Sequence, residues 1–157
     1  PGIAYRRAMK SYRQFAAMAL AIGAALAGCS DDRREERLRA AGPEPDLAAL
    51  LRVADADVGK GKFARCSACH TIAAGGPNLA GPNLAGIHGK GLAQGNPRFG
   101  YTAALLAAGA AGRRWDDATL DAWLADPQAV VPGTSMRFAG IPDPLDRADI
   151  IAFLRES

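Results

Sequence analysis

The residues Cys66-Ser67-Ala68-Cys69-His70 place two thiols three positions apart and an imidazole directly after the second. On a helical turn such thiols can add to the two vinyl groups along one porphyrin edge while the histidine projects towards the iron. CxxCH is accordingly the attachment signature of c-type haem. A structural disulfide would explain the cysteine pair but not the adjoining histidine. Zinc would need a second ligand pair, which the sequence lacks. A thioredoxin-like redox pair would sit in an alternating strand and helix pattern, and none is present.

An iron that only passes electrons needs a sixth ligand, because an open position would bind small molecules. Methionines stand at positions 9, 18 and 136, and the first two fall in a signal-like segment, which leaves Met136 as the thioether of the mature chain. Thioether ligation favours ferrous iron and raises the potential relative to a second histidine. Val131-Pro132-Gly133-Thr134-Ser135-Met136 reads as a turn-rich loop able to carry that side chain to a haem face. His88, in Gly86-Ile87-His88-Gly89, is the rival ligand and reads as an exposed loop residue.

The elements that must position these groups are short and helical. Leu145, Ile150, Ile151 and Leu154 fall roughly on one helical face behind an acidic cap at Asp143 or Asp146. Leu47, Leu50 and Leu51 have helical spacing behind Asp46, so a short helix there either lies against the domain or extends a stalk. Aromatic residues make up only 6% of the 157 residues, so the intrinsic apolar core is modest and a large cofactor could fill it. The length allows one ordinary domain with an appendage. Gly-Pro-Asn-Leu-Ala occurs twice in tandem between Gly75 and Gly86, a local loop duplication to which the sequence assigns no role.

The amino-terminal part reads as an address and a tether. Lys10 and Arg13 precede a charge-free run from Phe15 to Ala27, whose 13 residues are too few to span a membrane comfortably. Leu26-Ala27-Gly28-Cys29 resembles the lipobox of bacterial lipoproteins, which predicts acylation at Cys29 after cleavage; multiple acyl chains would then anchor it stably. An ordinary cleaved signal or an uncleaved anchor are the alternatives. Pro1 to Ala8, ahead of Met9, read as lying upstream of the start. Residues 31–45 are charged and end in Gly42-Pro43-Glu44-Pro45, a composition that does not bury enough apolar surface to fold and predicts an extended tether. The expected organisation is a signal over 1–28, a tether with a short helix over 29–55 and a domain over 56–157. The formal charge of +3 owes four cations to the first 13 residues; beyond residue 28 there remain 15 basic against 16 acidic residues, a poor match to nucleic acid.

Over about residues 57 to 155 the sequence resembles the class I, mitochondrial-type c-type cytochromes. The resemblance is carried by Gly59 to Thr71, Gly81-Pro82-Asn83-Leu84, Phe99-Gly100-Tyr101-Thr102, Trp115, Trp123-Leu124-Ala125-Asp126-Pro127, the run from Pro132 to Met136, Phe138-Ala139-Gly140-Ile141, and Arg147 to Leu154. It implies an all-α fold in which an N-terminal helix around 57–67 crosses a C-terminal helix around 144–155, with shorter helices near 102–108 and 117–125, around one covalently bound haem. Gly59 and Phe63 are spaced to let the two terminal helices approach closely. The resemblance further implies that the Pro82 carbonyl accepts a hydrogen bond from His70, and that Tyr101, Trp115 and Thr134 meet the haem propionates. Three positions depart from the family pattern. Trp123 stands where many relatives carry tyrosine, Lys90 stands near the place of a propionate-binding arginine, and the basic rim is thinned to Lys60, Lys62, Arg65, Lys90, Arg98 and Arg137.

The function implied is a non-enzymatic, monomeric one-electron shuttle on the periplasmic side of a bacterial membrane, lipid-anchored or else soluble or signal-anchored. Its expected partners are a cytochrome bc1-type quinol oxidising donor and a cytochrome oxidase-type acceptor. A haem enzyme or gas sensor would instead need Met136 off the iron. A domain fused into one complex would donate electrons only within it.

Overall fold

Capping side chains start the helices. In this computed structural model, which describes residues 29–157, a polar helix α1 spans Cys29–Ala41. There follow α2 (Leu47–Arg52), α3 (Ala56–Lys62) with a 3-10 turn at Phe63–Arg65, α4 (Ala103–Ala110), α5 (Asp117–Ala125), α6 (Pro127–Val130) and α7 (Pro144–Glu156). The side chains of Asp46, Asp55, Thr102, Asp116, Asp126 and Asp143 accept from first-turn amides of α2 to α7 in turn, satisfying donors that a helix leaves orphaned. Asp143 is the cap of α7; Asp146 instead accepts from Lys62 Nζ at 2.7 Å. Among the described residues no strand forms, and one antiparallel bridge pairs Gly91 with Arg114. The signal expected over 1–28 and the side chain of Cys29 lie outside the described residues.

Within the segment read as a tether, Cys29–Ala41 is helical rather than extended, and residues 42–45 carry no helix. Burial is not what makes α1 helical: its sequence is mostly Arg, Glu and Ala, all good helix formers, and Glu35 pairs with Arg39 one turn on at 3.1 Å. At 1.5 Å per residue such a helix spans only about 20 Å, less than an extended segment of equal length.

Ala41–Ser157 forms one compact unit. Its frame is the crossing of α3 over α7, and the crossing is possible because position 59 lacks a side chain: a Cβ on Gly59 would overlap the Asp149 carbonyl. Phe63 and Phe153 meet edge to face across the same contact, 5.4 Å between centroids. Asp149, fully buried on α7, accepts the Asp55 amide at 2.9 Å and so ties down the start of α3. Leu145, Ile150, Ile151 and Leu154 are all buried, as their spacing predicts. Of the two possibilities for α2, the structure adopts docking: Ala49 and Leu50 are buried and the helix packs on α7. The N-terminal helix, expected to run to 67, is α-helical only to Lys62; the tighter turn after it rotates Phe63 into the core.

The crossing yields a stability prediction. Gly59→Val should destabilise the domain by about 3 kcal/mol, because backbone must move apart to admit the side chain. A denaturant midpoint unchanged from that of the parent would refute the close approach.

Candidate functional site

Three separate stretches of chain build the site, and each is held by its own local bonding. After the 3-10 turn, Cys69 N and His70 N both donate to the Cys66 carbonyl, at 3.0 and 2.9 Å, so the motif forms a helical turn. Cys66 is half-buried and Cys69 exposed. Burial pushes the Cys66 thiol above its ordinary value, with Arg65 pulling the other way.

The second stretch is the tandem loop, and the structure supplies the role that its sequence left blank. His70 Nδ1 lies 2.7 Å from the Pro82 carbonyl. A carbonyl only accepts, so Nδ1 carries the proton and Nε2 keeps its lone pair for a metal. Burial lowers the pKa of His70, which favours the same neutral form, against the opposing pull of the Pro82 carbonyl. Gly81 must be glycine, since a Cβ there would run into the imidazole ring. The asparagine of the first repeat, Asn78, accepts from the Asn83 amide at 2.9 Å and from the Asn96 side chain. The second, Asn83, is buried; it donates to Thr71 Oγ1 and to the Ala73 carbonyl and accepts from Ala85 N. The duplication therefore braces the segment that presents Pro82 to His70.

The third stretch is the loop after α6. Thr134 is buried, and its hydroxyl oxygen accepts from Met136 N at 3.3 Å, leaving its own proton to donate. Gln128 Nε2 donates to the carbonyls of Thr134 and Met136, at 2.9 and 3.2 Å.

These stretches enclose a cavity of about 410 Å³. Cys66, Cys69, His70 and Pro82 line it with Thr134 and Met136 of the third stretch, and Tyr101 and Trp115 join them from the segments ahead of α4 and α5. The rest of the wall is largely apolar, with Ile87, Leu105, Leu120, Trp123, Ile150 and Leu154 among the contributors. Trp115 and Trp123 meet edge to face with centroids 5.0 Å apart, and the Trp115 backbone pairs with Lys90 O and Gly89 N. Burial holds the Tyr101 phenol above its ordinary value, so it remains a hydrogen-bond donor at neutral pH. A slot with apolar walls, thiols and an imidazole at its lining, a thioether opposite them in the sequence and a few polar tips fits a covalently attached porphyrin. Among the described residues no three or more His, Cys, Asp and Glu side chains gather as a metal cluster.

Two residues named from the sequence lie outside the cavity lining. His88 does not line the cavity and is not a free surface residue: its Nε2 lies 2.9 Å from Asp117 Oδ1, and Arg155 grips the same carboxylate at 3.0 and 2.6 Å. Lys90 is exposed and also outside the lining. Arg65 and Arg137, read only as rim charges, line the cavity, and the contact from Gln128 has no signature in spacing.

The Asp117 cluster makes stability pH-dependent. Burial by itself would raise this carboxyl, but the hydrogen bonds and charges of Arg155 and His88 outweigh it and leave the group below its ordinary value. A depressed carboxyl stabilises the fold fully above the unfolded value of about 4 and loses that contribution as pH falls through the folded one. Asp117→Asn should therefore flatten the fall in melting temperature below about pH 4. Parallel pH profiles for variant and parent would contradict the assignment.

The Cytochrome c family model matches residues 56–157. A cytochrome c homolog of Bradyrhizobium diazoefficiens is 40% identical over 121 residues, which are 77% of this chain and 64% of that protein, so the chain spans less than two thirds of that relative. Cytochrome c2 of Rhodomicrobium vannielii is 41% identical over 96 residues, covering 61% of this chain and 74% of its own length. Among solved structures, cytochrome cH from Methylobacterium extorquens superposes with a TM-score of 0.61 at 41% identity, over 66% of this chain and all of that one. Cytochrome c2 from Rhodospirillum centenum does so at 0.61 and 33% identity, over 66% and 98%. Similarity of sequence and of fold thus converge on the segment that carries the cavity, and the chain belongs to the cytochrome c family, haem-containing electron carriers with one covalently attached c-type haem.

Proposed function

We propose that the chain is a one-electron shuttle whose haem iron would be held by His70 and Met136. The observation that carries this reading is the meeting of His70 and Met136 in one largely apolar cavity with the cysteine pair. The haem supplies the ferric and ferrous states between which an electron is stored.

The protein residues tune and protect that couple. Cys66 and Cys69 tether the porphyrin edge, and the Pro82 carbonyl orients His70 and raises its basicity. Met136 closes the remaining position with a ligand that favours ferrous iron. Tyr101, Trp115 and Thr134 offer donors to the propionates, whose burial would otherwise cost several kcal/mol, on the order of a lost ion pair. The apolar wall excludes water, so little rearranges when the charge changes. Such a molecule meets a quinol:cytochrome c reductase and a terminal oxidase in turn through a small transient interface, as a monomer and without catalysing a reaction.

Cys29 is the proposed lipid attachment site, which places the domain on the periplasmic side of a bacterial membrane. Among the described residues no helix is long and apolar enough to cross one. Carbon monoxide tests the shuttle against a haem enzyme or gas sensor. The reduced protein at neutral pH should resist the gas, and rapid, complete binding would overturn the reading. Intact mass of membrane-extracted protein should show haem and acyl additions together, and haem alone would reject the anchor.

A further inference from the structure

The loop that delivers Met136 has little regular structure of its own, so something outside it must hold it closed. One side chain does most of this. Gln128 Nε2 donates to the carbonyls of Thr134 and Met136, at 2.9 and 3.2 Å, bridging from α6 to the far end of the loop. A primary amide has two N–H groups, and the pair of carbonyls uses both. The base from which it reaches is itself fixed. Pro127 is fully buried, the Asp126 carboxylate accepts from the amides of Gln128 and Ala129 at 3.0 and 3.2 Å, and Val131 N returns to the Pro127 carbonyl at 3.0 Å. Arg113 pins the near foot by donating to the Val130 carbonyl at 2.9 Å.

We propose that Gln128 is a positioning residue for Met136: its amide latches the ligand loop to α6 and so sets how often the thioether leaves the iron. The proposal rests on the reading of Met136 as the sixth ligand. A thioether that swings fully clear of the iron is carried furthest by motion of its own backbone, and in the latched loop that motion must break two hydrogen bonds in a half-buried setting. Opening therefore becomes less frequent without any contact between Gln128 and the haem.

Imidazole, which competes for ferric iron, reads the open population directly, since its apparent affinity scales with the fraction of open protein. Gln128→Met keeps length and loses both donors; the holoprotein should bind imidazole about thirtyfold more tightly than the parent, the worth of two ordinary hydrogen bonds. Gln128→Glu turns acceptor oxygens towards the same carbonyls and should go further, and it serves if the methionine variant does not load haem. Gln128→Lys, which restores a donor, should recover part of the loss. Leu50→Ala, destabilised far from the loop, should melt earlier yet bind imidazole as the parent does, which separates latching from general loosening.

Met136→Ala distinguishes the two ways of failing. If the parent binds imidazole as tightly as Met136→Ala, the sulfur is not a ligand and both the reading and the latch fall. If the parent binds far more weakly than Met136→Ala while Gln128→Met and Gln128→Glu match the parent, the ligand stands and the latch alone is overturned.

Discussion

Replacing Met136 with alanine should turn a ferrous protein that resists carbon monoxide into one that binds it within mixing time. Met136 is the thioether that lines the same cavity as His70. Without it the iron keeps one strong ligand and an open or water-filled position, so the barrier to entry disappears. The midpoint potential should also fall, because the lost sulfur stabilised ferrous over ferric iron. Each tenfold change in that preference is about 59 mV for a one-electron couple, and a fall of at least this size is expected. An unchanged oxidised spectrum in the variant would end the His70 and Met136 assignment.

Keeping the haem out should cost the domain most of its stability. An unfilled cavity costs about 24 cal/mol per Å³ where the surroundings cannot collapse. At about 410 Å³ the site would then forfeit about 10 kcal/mol, as much as a typical domain has in total, about 5–15 kcal/mol. The double variant Cys66→Ala with Cys69→Ala removes the covalent tether, so its haem can be extracted with the aromatic and aliphatic walls of the cavity unchanged. The haem-free chain should lose cooperative thermal unfolding and much of its helical circular dichroism at room temperature. Survival of a sharp melt near that of the loaded protein would show that the helices support themselves.

Why the fold leans on its cofactor is visible in particular residues. Phe63, Trp115 and Trp123 reach inward from different elements and all line the cavity, so part of the core is wall rather than filling. The close crossing of α3 and α7 at Gly59 supplies the packing that does not depend on the site, and Asp149 holds it from beneath. Haem removal should therefore disturb the cavity side before that crossing.

How much was legible beforehand follows from the range of each interaction. The attachment motif, Met136 with its turn-rich run and the apolar face of α7 are encoded within a few neighbouring residues; the first two line one cavity and the third is buried. The capping aspartates are equally local. By contrast the charged stretch of α1 was expected to be extended because burial is a test of packing, whereas its helix rests on propensity and a one-turn ion pair. His88 was expected in solvent; the Asp117 carboxylate that meets it lies 29 positions away.

The sequence by itself determined the chemistry: two thiols and an imidazole in fixed order, a thioether in a turn-rich loop, and helix starts marked by aspartate. These are covalent or short-range properties, set by neighbours along the chain. Only the tertiary structure decided that α2 docks on α7, that paired asparagines brace the Pro82 carbonyl against His70, and that Gln128 latches onto two carbonyls of the methionine loop. A hydrogen bond from a polar side chain to a backbone carbonyl has no period and no composition, so it exists as information only once the chain has folded to bring donor and acceptor within 3 Å or so of each other.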